Sequence, residues 1–115
     1  MKLPRFERAI IPLEKILRYL LNPDHPTGGA KAVFFRRMGF AAAQSETFIA
    51  ALREHVRLHD VARIETERFG VVYIVEGSLQ TPRGSTNVTV RSVWLMTNDE
   101  SLPRLVSAYP IGRLV

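Results

Sequence analysis

Two glycines and a lysine arrive together in the segment His25-Pro26-Thr27-Gly28-Gly29-Ala30-Lys31, and no other stretch gathers as much chemistry. Backbone N–H groups at a helix start attract anions, so Gly28 and Gly29 are candidate substrate-binding positions. Lys31 would stand in the first turn of the following helix, where a cation opposes the helix dipole. That small cost is offset when the ammonium pairs with an anion. The competing reading is a tight connection needing positive φ at glycine, with Lys31 solvated. The G-x-x-x-x-G-K-[ST] spacing is absent, and Ala32 follows Lys31 where a magnesium-binding hydroxyl would stand, so ATP or GTP binding is not expected.

His25 lies between Asp24 and Pro26 on the same loop, where an imbidazole is able to act as acid or base. A purely structural Asp-His-Pro turn is the alternative. His55 and His59 stand four apart on one helix face, but Val56 and Arg57 follow His55, so the H-E-x-x-H zinc pattern fails. No cluster of Asp and Glu suggests a two-metal site, and neither metal nor other cofactor is expected. The second half offers Arg83 at a turn, Arg91 on a strand, and Arg104, Ser107 and Tyr109 on the last strand, with Ser107 and Tyr109 on one face. Convergence of Arg91 and Arg104 on Lys31 would make a cationic clamp for a phosphate and for charge developing on it. Scattered surface arginines are the plain alternative.

Charge agrees with an anionic partner. The 115 residues carry 16 Lys and Arg against 11 Asp and Glu, and 13 of the 16 are Arg, whose planar fork matches phosphate. Such a bias also arises from genome composition. Zero Cys excludes disulfides, zinc ribbons and thiol catalysis. No segment approaches a membrane span and the first residues lack a secretory apolar run, so a cytoplasmic protein is expected. A domain cut from a larger secreted toxin would look the same.

These residues need elements to hold them. Leu13, Ile16, Leu17, Leu20 and Leu21 form an amphipathic stripe, with Pro12 in the first turn. The Pro- and Gly-rich run from Asn22 to Gly29 ends it. A short helix is predicted from Ala30 to Met38, capped by Gly39, and a third from Ser45 to about His59 with Phe48, Ala51, Leu52 and Val56 inward. From Ala62 the pattern turns to strands: a stretch from Ile64 to Leu79, a turn at Thr81-Pro82-Arg83-Gly84-Ser85, a strand from Val88 to Met96 with Trp94 in the core, and a last strand from Pro103 to Pro110. The expectation is a single α+β domain spanning residues 1–115, with N-terminal helices packed on a C-terminal three- or four-stranded antiparallel sheet.

Tyr19-Leu20-Leu21-Asn22-Pro23-Asp24-His25-Pro26, Gly29-Ala30-Lys31-Ala32-Val33-Phe34-Phe35, Val93-Trp94 and Pro103-Arg104-Leu105-Val106-Ser107-Ala108-Tyr109-Pro110 resemble the blocks of a small, uncharacterised bacterial domain family. Its layout of helices then sheet is similar to the barnase–EndoU–colicin–RelE class of toxin ribonucleases. That likeness implies a metal-independent endoribonuclease, the toxin of a toxin–antitoxin or related conflict system, in which a 2′-hydroxyl attacks the adjacent phosphate. His25, Lys31, Arg104, Ser107 and Tyr109 are then the catalytic candidates, and Gly28, Gly29, Arg83 and Arg91 the substrate-binding ones. The class has no single shared triad, so motif matching fixes none of these roles. The expected partners are RNA and an acidic antitoxin or immunity protein, and no membrane. A non-catalytic module binding nucleic acid or protein is the second expectation.

Overall fold

A β-rich sequence after residue 61 becomes a four-stranded antiparallel meander, and the helices that precede it close over one of its faces. The computed structural model describes residues 1–84 and 88–111. Helix α1 starts as α-helix at Leu13–Lys15 and continues as π-helix through Ile16–Leu20. Helices α2 (Gly29–Arg37) and α3 (Ser45–Leu58) follow, then β1 (Val61–Glu67), β2 (Gly70–Ser78), β3 (Thr89–Thr97) and β4 (Arg104–Pro110) in the spatial order β1-β2-β3-β4. The α+β layout is the one expected, and α2 and α3 lie within a residue of their expected bounds at each end. Ser85, the last residue of the expected turn, lies outside the described residues.

Two details differ from the periodicity. The stretch from Ile64 to Leu79 is two strands, joined at Arg68-Phe69 with Glu67 facing Gly70. In α1, the amide of Leu21 donates to the carbonyl of Ile16 at 2.8 Å, a span of five residues rather than four. The wider turn buries Ile16, Leu20 and Leu21 but leaves Leu13 at 51% and Leu17 at 37% exposure. Tyr19, which stands outside the leucine stripe, is half-buried.

The inner face of the sheet carries Val75, Val90, Ser92, Trp94, Leu105 and Ala108, all buried, against Phe35, Phe48, Leu52 and Val56 of the helices. His55 is buried there too. Its Nδ1 donates to the Ser78 carbonyl at 3.2 Å and its Nε2 meets the Ser92 hydroxyl at 2.9 Å, which in turn accepts from the Trp94 indole N–H at 2.8 Å. This chain satisfies every polar atom of the three side chains and ties α3 to β3. Both ring nitrogens of His55 are therefore engaged, and His59 Nε2 faces the Ser78 hydroxyl at 3.1 Å. The Gly39 cap is realised at φ 104, with the Phe40 amide donating to the Phe35 carbonyl at 3.2 Å.

Candidate functional site

The outward face of the sheet pairs Glu76 with Arg91, Arg91 with Tyr109, and Val93 with Ser107. β4 is one of the two edge strands, and α1 and α2 come to it from the side. The consequence is a polar cluster where helices and sheet edge meet.

Lys31, two residues into α2, reaches across to that face. Its Nζ donates to the Tyr19 hydroxyl at 2.6 Å and to Ser107 Oγ at 3.1 Å, and the two hydroxyls are 3.4 Å apart. The ammonium also lies 5.0 Å from the Tyr19 ring centroid and 5.3 Å from that of Tyr109, so two phenol rings flank one cation. Arg91 continues the row: its guanidinium carbon is 5.7 Å from the Tyr109 centroid, and its Nε and Nη2 bond Glu76 at 2.7 and 2.6 Å. Arg91 is thus charge-compensated, whereas Lys31 faces hydroxyls and rings and, among the described residues, no carboxylate.

Burial alone would push the Tyr19 phenol up. Hydrogen bonds from Lys31 and Ser107, with the charges of Lys31 and Lys15, outweigh it and hold Tyr19 below the usual tyrosine value. A phenol so placed gives up its proton more readily than an ordinary tyrosine.

His25 packs edge-on against the Tyr19 ring, with centroids 4.8 Å apart. Its Nδ1 accepts the backbone N–H groups of Thr27 at 3.1 Å and Gly28 at 3.0 Å. Only an unprotonated nitrogen accepts, so the hydrogen-bond pattern assigns the ring proton to Nε2. His25 therefore caps the start of α2 and keeps an N–H donor on its other side. The amides of Gly28 and Gly29 are taken up within the turn, the latter by the His25 carbonyl at 3.0 Å. Both glycines have a steric reason to be glycine. A Cβ on Gly28 would fall 2.5 Å from a ring carbon of Tyr19, and one on Gly29 would fall 2.5 Å from the Pro23 carbonyl oxygen. Gly28 has φ −105, so close approach and not positive φ is what the turn requires.

Of the residues singled out from sequence, Lys31, Ser107, Tyr109 and Arg91 come together, with His25 one ring away. Arg104 opens β4 three residues before Ser107 and pairs with Glu100 at 3.5 Å. Arg83 lies beside Gly39, at the far end of α2 from Lys31. Tyr19 was not among the candidates, although it makes more contacts with the cluster than any of them except Lys31. The available signal was a lone hydroxyl-bearing aromatic in a leucine-rich helix. Among the described residues no group of three or more His, Asp and Glu side chains converges as metal ligands would, and no helix is long and apolar enough to cross a membrane.

Residues 2–112 match a family described as a domain of unknown function, DUF6883. The chain belongs to this family. No curated protein sequence matches this DUF6883 domain. Among solved structures, it is similar to a chain of the contact-dependent growth inhibition toxin–immunity protein complex from Klebsiella pneumoniae 342. The TM-score is 0.70 at 14% identity, over 94% of this chain and 97% of the other. At that identity the likeness establishes a shared fold.

Proposed function

We propose that this DUF6883 domain is a metal-independent ribonuclease toxin whose active site is the Lys31–Tyr19–Ser107 cluster. The observation that carries the reading is the 2.6 Å contact between the Lys31 ammonium and a phenol held below its usual pKa. A shared fold with a chain of a toxin–immunity complex supports a toxin role. The net charge of +5 favours the toxin side of such a pair, with an acidic immunity protein as partner.

The chemistry closes on itself. Tyr19, as phenolate beside the Lys31 ammonium, takes the proton of a ribose 2′-hydroxyl while the 2′-oxygen bonds to the adjacent phosphorus. The bond from phosphorus to the 5′-oxygen breaks, and Lys31 protonates that oxygen. Products are a 2′,3′-cyclic phosphate and a 5′-hydroxyl end. Tyr19 then returns its proton to Lys31 across their hydrogen bond. Ser107 holds the pair in line, Tyr109 shields the ammonium, and the Nε2–H of His25 is directed to the phosphoryl oxygens. Arg104, further along β4, is left to contact the strand beyond the scissile phosphate, and Arg83 is given no part in the step.

The test is cleavage of total cellular RNA in EDTA, with the ends of the products identified. Lys31→Met should reduce cleavage by about 100- to 1,000-fold, the usual cost of one preorganised charge-stabilising donor. Intact RNA after prolonged incubation with the folded wild-type protein would defeat the proposal. Salt-sensitive RNA binding without cleavage would instead support the non-catalytic reading, which the occupied Nδ1 of His25 favours.

A further inference from the structure

Pro12, Glu14, Lys15, Arg18, Tyr19 and His25 line an open depression of about 340 Å³ on the helical side of the cluster. Tyr19 belongs to both. Lys15 Nζ lies 5.1 Å from the centroid of its ring and Lys31 Nζ 5.0 Å from the same point, so the two ammonium groups stand no more than about 10 Å apart. One ring thus has a cation of the cluster and a cation of the depression each about 5 Å from its centre. Lys15 and Arg18 have no ion-pair partner among the described residues, and Glu14 is the single carboxylate in the depression. Lys15 and Arg18 in the depression and Lys31 beside it, against the one carboxylate of Glu14, leave a net positive charge that an extended polyanion satisfies better than a single phosphate does.

We infer that this depression is a second phosphate subsite, in which Lys15 and Arg18 hold the phosphate next to the scissile one in a single-stranded RNA. The inference rests on the ribonuclease reading and narrows its substrate to a polynucleotide strand. Pro12 and the Tyr19 ring supply the apolar part of the lining, against which the intervening ribose lies. Lys15 is half-buried and Arg18 exposed, both line the depression, and neither belongs to the core cluster, so their removal leaves the core untouched. Glu14 sits four residues before Arg18, one helical turn away, and sets a limit on how deep an anion enters.

The experiment uses a 2′-O-methyl RNA octamer, which lacks the attacking hydroxyl and cannot be cut by the proposed step. Its affinity is measured by fluorescence anisotropy between about 50 and 200 mM KCl. On a single strand each phosphate contact contributes about 0.7 to the slope of log affinity against log salt, so the double variant Lys15→Ala/Arg18→Ala, which empties a subsite for one phosphate, should flatten that slope by about 0.7. Arg68→Ala, a cation at the β1–β2 turn, should leave it unchanged. A dinucleoside monophosphate, which offers one phosphate, should bind wild type and double variant alike. An unchanged slope in the double variant, or an equal loss in Arg68→Ala, overturns the subsite. If the subsite fails in this way while Lys31→Met still abolishes cleavage of RNA, the ribonuclease reading survives without it. If the wild-type protein binds no octamer at any salt, both fall together.

Discussion

Acidifying the solution should loosen this fold through one residue, His55. The ring is 1% exposed, and burial first, with the charge of His59 in addition, drives its pKa from 6.5 to about 4 despite the opposing hydrogen bond to the Ser78 carbonyl. The unfolded chain takes up this proton near 6.5 and the folded one only near 4. Below 6.5 the unfolded state therefore holds more protons, so the contribution is fully present above 6.5 and lost as pH falls towards 4. Each pH unit in that window costs about 1.4 kcal/mol, which makes the whole window worth roughly 3 kcal/mol, a large share of a typical domain stability of about 5–15 kcal/mol. The assay is urea unfolding at pH 7, 6 and 5, followed by the fluorescence of Trp94, the sole tryptophan and a member of the same hydrogen-bond chain. Wild type should lose about 2 kcal/mol between pH 6.5 and 5. His55→Gln, polar but uncharged throughout, should start lower at pH 7 by about 1–3 kcal/mol and lose little more. Equal acid losses in the two proteins would refute the argument, because the effect would then belong to other groups.

Other outcomes follow from the cluster and its turn. In a spectrophotometric titration of the phenols at alkaline pH, one tyrosine should ionise ahead of the others in wild type, and Tyr19→Phe should remove that early component. Lys31→Met should move it upwards, since the ammonium supplies both a hydrogen bond and a charge to the phenolate. Gly29→Ala should destabilise the protein by about 1–3 kcal/mol in thermal melts, because the new methyl meets backbone and neither partner can turn aside. Gly28→Ala meets a side chain instead, so it should cost less stability but displace the Tyr19 ring, and activity should fall further than the melting temperature implies.

Helices α2 and α3 and the last two strands were legible because their signals are local. Gly39 ends α2 where a left-handed cap was expected, and alternation placed Trp94 and Val90 on the buried face. The hairpin at Arg68-Phe69 was not legible, since its two central residues are ordinary strand neighbours and only Gly70 marks it. Tyr19 escaped notice for a different reason: its partners Lys31 and Ser107 are 12 and 88 residues away, and nothing in its own surroundings announces them. The arginines show the same limit. Arg83 at its turn and Arg91 on its strand were both candidates for binding substrate, but the meander carries one to the end of α2 and the other beside Tyr109. The choice between an α-turn and a π-turn in residues 16–20 leaves no mark in composition at all, since both bury leucines and isoleucine.

That π-turn makes the cluster sensitive to chain length. Each residue of an α-helix advances about 100° around its axis, so deleting one residue between Ile16 and Leu20 would restore ordinary four-residue spacing. Either Tyr19 or the buried Leu20–Leu21 pair would then have to rotate away from its present neighbours. The spare residue works as a spacer that lets one short helix serve two masters, the hydrophobic interior on one side and the Lys31 ammonium on the other. A single-codon deletion within residues 16–20 would sever the core from the chemistry.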